Sequence, residues 1–390
     1  MIKYIFKNYS VLFLALIIFF IFSIIPVESR EEIIDFTLEH EGLLYLCLLG
    51  LAIFIAFLPT IISKKKKPKY IKNISLENAP IEFKTIYDSL YSSNIEELEV
   101  LRKKAKARKI IQTFLLIIIF IGYVFMDSNR TIISLTADSV VEIIAILALI
   151  IFAIHMYINH KSKDKYKLLY KNNIVSKFVK LVNDNLTYSP DKEKNGNLSD
   201  KYIEANFDDK AFNTFYNDDN IEGNIEDNIY INANDIHVQN ITGSGKYQVE
   251  EELFKGIFTY TKPNKNINSF IKISKNKRHI LNNDAKIAMD DTTFEKYFDV
   301  YSQDKLLTMR ILTSDIMTSL MDFYRKYELE FEIIFRNDTI YLRFFTGEMF
   351  EPKLFGNSMD KELLLVYYEI LKFVVDVTKK INITLQEIEL

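Results

Sequence analysis

Four long apolar runs constrain this chain more than any other feature. They are Val11–Ile25, Gly42–Ile62, Ile110–Met126 and Val140–Ile158. A helix needs roughly 20 apolar residues to cross the hydrocarbon of a bilayer. Uninterrupted runs near that length fit spans better than buried core helices. The expected architecture is a multi-pass α-helical membrane region of four spans, followed by an α+β domain with mainly antiparallel sheet. The first run follows Lys3 and Lys7 and leads to Val27-Glu28-Ser29. It reads either as an uncleaved anchor or as a cleaved secretory signal, and the later spans keep their direction in both cases.

Lysine and arginine set the expected orientation. The loop from Ser63 to Lys109 carries 13 basic residues, whereas Pro26–Glu41 and Asp127–Ser139 carry one each, Arg30 and Arg130. Basic loops stay on the cytoplasmic side, so the large C-terminal part is expected in the cytoplasm. The organisation expected along the chain is an N-terminal pair of spans over 1–62 and a basic loop with an amphipathic helix over 63–109. A second pair over 110–158, a juxtamembrane helix and linker over 159–200, and the α+β domain over 201–390 complete it. The basic end of the 63–109 loop reads as a stop-transfer topology signal, with attraction of anionic lipid, at about 1 kcal/mol per charge, as the alternative.

Charge and cysteine usage exclude several function classes. Lys and Arg total 49 against 52 Asp and Glu, and from Asn159 onward the balance is 32 to 37, a net of −5. That acidic balance argues against a nucleic-acid groove. The one cysteine, Cys47, lies in an apolar run, so no intramolecular disulfide or cysteine-based zinc site is available. The histidines are His40, His155, His160, His237 and His279, and none has a second ligand at metal spacing. No cofactor is expected. Gly243-Ser244-Gly245-Lys246 lacks both the earlier glycine and the following Ser or Thr of a phosphate loop, so it reads as a turn. The acidic pairs Asp208-Asp209, Asp218-Asp219 and Asp290-Asp291 are candidate cation ligands, but helix capping accounts for the first and third.

The C-terminal half reads as strands and two helices. Asn228–Ile241 alternates apolar and polar residues, and Leu253–Lys262 reads as a buried strand with Gly256 at a bulge or a close approach. Met289–Met321 reads as a short helix, a strand, a turn and a longer helix capped by Thr313 or Ser314. A hairpin turning at Asn337-Asp338 follows, then a helix over Met359–Lys380 with a narrow polar stripe.

Three pieces carry a family resemblance. Phe294-Glu295, Phe298, Val300-Tyr301-Ser302 and Asp304, followed by Arg310-Ile311-Leu312-Thr313, form one motif. The strand Leu253-Phe254-Lys255-Gly256-Ile257-Phe258 forms the second, and a helix carrying Phe83, Tyr87, Leu90, Leu98, Glu99 and Arg102 the third. Together they resemble the Domain of Unknown Function 3137 family of bacterial membrane proteins over about residues 80–390. Ser314 stands where that family prefers proline. The resemblance implies an inner-membrane protein with a cytoplasmic domain and no established activity. It marks Phe294, Glu295, Phe298, Tyr301, Asp304, Arg310, Thr313, Phe254, Lys255 and Gly256 as family-motif or interaction candidates.

No catalytic constellation emerges from the sequence, so the chain is expected to be a membrane-anchored protein-interaction or regulatory module and not an enzyme. Its expected partners are the lipid bilayer, a membrane or cytoplasmic protein, or a second copy of itself, and not nucleic acid. One alternative is an accessory subunit of a transport or envelope system. Another is an enzyme on a membrane-derived or nucleotide substrate, with Asp290, Asp291, Glu295 and Arg310 in one cleft.

Overall fold

The computed structural model describes residues 76–128, 135–190, 197–207, 210–226, 229–244, 247–267, 269–275 and 286–388. The chain divides into two compact units, Met1–Ser63 with Ala107–Asn159, and Lys64–Lys106 with His160–Leu390.

Two long helices contribute to both units. Helix α1 covers Ile81–Ser128 and α2 covers Leu135–Tyr170. Pro80 directly precedes α1, which suits a residue with no N–H to leave unpaired. Among the described residues no helix is long and apolar enough to cross a membrane. The multi-pass helical region expected from Ile110–Met126 and Val140–Ile158 is thereby corrected. The physical reason lies in polar groups that the runs merely adjoin or contain. Arg108 and Lys109 sit at the start of the apolar part of α1, with Gln112 and Thr113 inside it, and His155 and Asn159 stand at the end of that in α2. Within the first unit these groups bond one another. Asn159 Nδ2 donates to Gln112 Oε1 at 2.6 Å, and His155 Nε2 lies 3.0 Å from the Arg108 carbonyl. The expected spans at Val11–Ile25 and Gly42–Ile62 lie outside the described residues.

The second unit is built on a nine-stranded sheet, counted over the described residues. Its strands are β1 (Thr187–Ser189), β2 (Thr214–Asn224), β3 (Tyr230–Thr242), β4 (Val249–Lys262), β5 (Ile271–Lys275), β6 (Lys286–Ile287), β7 (Phe298–Ser302), β8 (Phe331–Arg336) and β9 (Thr339–Phe344). Their order is β1-β2-β3-β4-β9-β8-β5-β7-β6, and every pairing is antiparallel. The β8–β9 hairpin turns at Asn337-Asp338, with Arg336 opposite Thr339 and Asn337 left-handed at φ 55°. Asparagine tolerates that conformation better than most residues.

Side-chain alternation divides the sheet into two apolar faces. Ile257, Ile273, Val300, Ile333, Leu342 and Phe344 face the larger core. Helix α6 (Ser314–Tyr327) and helix α7 (Lys361–Glu387) supply that core's other side, joined by Phe323 and Phe373 stacked at 3.9 Å. Each begins at a side-chain cap. Thr313 Oγ1 accepts from Ile316 N–H at 3.4 Å, and Asp360 Oδ1 accepts from Leu363 N–H at 3.2 Å. The opposite face carries Val238, Phe254, Phe258, Ile334 and Tyr341 under helix α4 (Leu198–Ala205). Arg343 lies buried on that face, bonded to Glu332 Oε2 at 2.7 Å and to the Tyr202 hydroxyl at 2.9 Å. A buried guanidinium needs both a counter-charge and hydrogen-bond acceptors, and these two residues provide them.

Candidate functional site: a buried lysine among carboxylates

The segment after α2 contains the chain's most unusual local geometry. Lys171–Val175 forms a π-helical turn, which passes into α3 (Ser176–Val182). Such turns break the usual hydrogen-bond ladder and often accompany functional sites. Here the turn presents Lys171 inward, with its side chain only 5% exposed. On the sheet side, the β2–β3 register slips between Asp218 and Ile221, and Asp219 takes a left-handed φ of 55°. The bulge turns Asp219 into the protein, where its side chain is 1% exposed. A third strained position, Phe350 at φ 57°, precedes Glu351.

These three irregularities converge on one charge cluster. Lys171 Nζ donates to Asp219 Oδ2 at 2.8 Å and to Asp218 Oδ2 at 3.1 Å, and it pairs with Glu351 Oε1 at 3.1 Å. Glu351 is also bridged to Lys167 at 2.5 Å. The Tyr188 hydroxyl donates to the other oxygen of Asp219. Nearby, Asp235 Oδ2 accepts from Met349 N–H at 2.6 Å. The cluster therefore ties a helical turn, a sheet bulge and the loop before α7 to one ammonium.

Burial dominates the electrostatics. Desolvation pulls the Lys171 ammonium down, but Asp219, Glu351 and Asp218 together raise it above the ordinary lysine value. It is held protonated, which makes it a poor nucleophile at neutral pH. Burial pushes Asp219 up to about 7, against the pull of Lys171, with Asp218 adding to the rise. Three carboxylates sharing a central ammonium cannot all be neutralised, so one of them takes up a proton easily. Burial likewise pushes Asp235 up to about 8, aided by Asp219 and Glu348 and opposed by the Met349 N–H. Asp218, Asp219 and Glu351 have oxygens within 4.8 Å of one another, close enough to share a cation. The cation they share is Lys171, so the group is an electrostatic clamp.

The residues singled out in the sequence serve other ends. Phe294 and Phe298 are core side chains with rings 5.1 Å apart. Glu295 Oε1 accepts from Met289 N–H at 2.9 Å, and Asp291 Oδ1 accepts from Thr293 and Phe294 N–H at 2.7 and 3.0 Å. Asp304 caps helix α5 (Lys305–Ile311) through Leu307 N–H at 2.9 Å, and Arg310 is exposed in the last turn of that helix. Tyr301 is buried with its hydroxyl toward Asp299. Phe254 lies in the core under α4, and Lys255 pairs with Glu348 at 3.3 Å. Gly256 has φ 152°, and a Cβ there would stand 2.0 Å from the Phe344 carbonyl oxygen. Only glycine permits that approach between β4 and β9.

Residues 252–383 match the family model described as Protein of unknown function (DUF3137). The DUF3137 segment contains every motif residue from Phe254 to Thr313, and Glu351 of the clamp. It excludes Lys171, Asp218 and Asp219. The helix bearing Phe83 to Arg102 also lies outside it, so the resemblance there rests on those side chains alone. No curated protein and no solved structure matches the chain.

Residue order alone does not reveal the clamp. Asp218-Asp219 stands out in the sequence as an acidic pair and a candidate cation ligand, whereas Lys171 carries no signal of its own. Nothing local joins them, because 48 residues separate Lys171 from Asp219.

Proposed function

We propose that the chain is an interaction or regulatory module that works at a membrane surface. One observation carries this: the described part of α2 in the first unit exposes large apolar side chains in close succession. Ile146, Leu147, Leu149, Ile150, Ile151, Ile154, Met156, Tyr157 and Ile158 are each 40–70% exposed. Scattered apolar residues on a surface need no explanation, but a contiguous apolar surface marks a contact with lipid or a partner. No membrane span is invoked; seating such a surface in a headgroup layer is sufficient. Within the second unit, the clamp holds the segment following α2 against the sheet.

The test is fractionation of cells expressing the full chain, followed by crosslinking and affinity capture from the membrane fraction. The proposal expects the chain in the membrane fraction, together with a stoichiometric protein partner or a second copy. Recovery in the supernatant, or on membranes as a monomer with no partner, would overturn the corresponding half of it.

A further inference from the structure

In the second unit, α1 and α2 lie side by side and antiparallel. Asn173 Nδ2 donates to Asn94 Oδ1 at 3.1 Å, and Arg102 lies near enough to Tyr166 to influence its hydroxyl. With a rise of about 1.5 Å per residue on both helices, Lys103 and Lys104 on α1 fall level with Lys161, Lys163 and Lys165 on α2. All five lysines are exposed. The inner faces at this level hold Ala105, Ser162 and Tyr166, all buried. The base is braced from below. Tyr166 donates to the Lys353 carbonyl at 3.0 Å, and Arg102 donates to the Leu354 carbonyl at 3.2 Å.

These lysines differ from many others on the surface. Lys262, Lys326, Lys361 and Lys379 each meet a carboxylate, on Asp338, Glu369, Asp88 and Glu226. Among the described residues, the five lysines of the patch pair with no carboxylate. The one acidic residue within 160–167 is Asp164, and it is taken by His160; residues 100–110 contain none. A patch left uncompensated on a braced base attracts an anionic surface. In sequence, both stretches lead into apolar residues, Ile110-Ile111 after Lys109 and Tyr157-Ile158 before Asn159-His160. That neighbour favours lipid over nucleic acid.

We infer that Lys103, Lys104, Lys161, Lys163 and Lys165 form a docking patch for anionic phospholipid headgroups. The inference rests on the membrane-surface function proposed above and names the lipid class. Its test is flotation of the purified full chain with phosphatidylcholine vesicles, with and without phosphatidylglycerol. Partitioning is expected to be stronger on the anionic vesicles and to weaken with salt. Each Lys→Gln change at these positions is expected to lower it about fivefold, while Lys→Arg changes preserve it. Inorganic phosphate at millimolar concentration is expected not to compete, because it offers one headgroup's charge without a surface. Equal partitioning onto neutral vesicles would overturn the patch while leaving the apolar surface in place. Competition by free phosphate, or tighter binding to duplex DNA than to anionic vesicles, would overturn it as well. No partitioning onto any vesicle would overturn both this inference and the function beneath it.

Discussion

Removal of Lys171 offers the sharpest probe of the clamp. Its ammonium lies 2.8 Å from Asp219, and both side chains are at most 5% exposed. At that separation the gross attraction is about 6 kcal/mol for an effective dielectric constant of about 20. Desolvation of the two charges offsets most of it, so the intact pair contributes little net stability. The Lys171→Met variant removes the attraction and leaves Asp219 buried with no cation beside it. Breaking one side of a buried pair costs about 3–5 kcal/mol. Asp218 is half exposed and Glu351 a quarter exposed, so both regain water and add little. We expect about 3 kcal/mol at pH 8, the lower end of that range, because Asp219 escapes part of the penalty by taking a proton. At pH 6 the cost is expected to shrink. The double variant Lys171→Met with Asp219→Asn is expected to recover more than half of the loss, since asparagine accepts the Tyr188 hydrogen bond uncharged and tolerates the left-handed backbone. Urea unfolding of the full chain followed by circular dichroism measures these differences, and hydrogen exchange over residues 171–182 and 214–224 localises them. A cost below about 1 kcal/mol at pH 8 would refute the clamp, given the penalty expected for an unpaired buried charge. So would a double variant as unstable as the two single variants summed.

Two further outcomes follow from the same physics. Asp219 and Asp235 titrate near 7 and 8 in the folded chain against 3.8 for an ordinary aspartate. The folded state thus binds more protons than the unfolded state between about pH 4 and 8, and their contribution to stability falls as pH rises through that window. Urea midpoints at pH 5 and pH 8 should show Asp235→Asn flattening this fall; an unchanged slope would contradict the burial argument. Gly256→Ala is expected to cost more than about 2 kcal/mol in the same assay, because its Cβ meets the Phe344 carbonyl in a backbone conformation that alanine resists. A loss under about 0.5 kcal/mol, the range of an ordinary surface change, would show that β4 and β9 separate freely there.

Local chemistry explains what was legible in the sequence. The turn at Asn337-Asp338, the Thr313 cap and the close approach at Gly256 each depend on one or two adjacent residues, and each appears where the sequence placed it. Polar stretches misled where tertiary pairing prevailed. Thr187–Ser189 reads as the start of a linker yet pairs with β2, through Tyr188 opposite Ile221. The apolar runs misled in another way, because they contain or adjoin polar groups that find partners, such as Gln112 and Asn159, which bond each other. The clamp was illegible because it needs a π turn, a bulge and a loop at once, and none of these has a signature in residue order alone. Phe294, Phe298 and Phe254 stand out in the family motif because they fill the core, whereas Arg310 stands on the surface with no structural account.

The proposed membrane-surface function requires the exposed apolar surface of α2 to meet lipid. An environment-sensitive fluorophore tests it directly, attached at Ile150→Cys in a chain whose single native cysteine, Cys47, is replaced by serine. A second label at Tyr247→Cys, on an exposed turn of the β3–β4 hairpin, serves as the control. On addition of anionic vesicles, the label at position 150 is expected to shift to the blue and lose access to an aqueous quencher, while the label at 247 stays unchanged. A label at 150 that keeps its aqueous spectrum and full quenching on vesicles would contradict the claim.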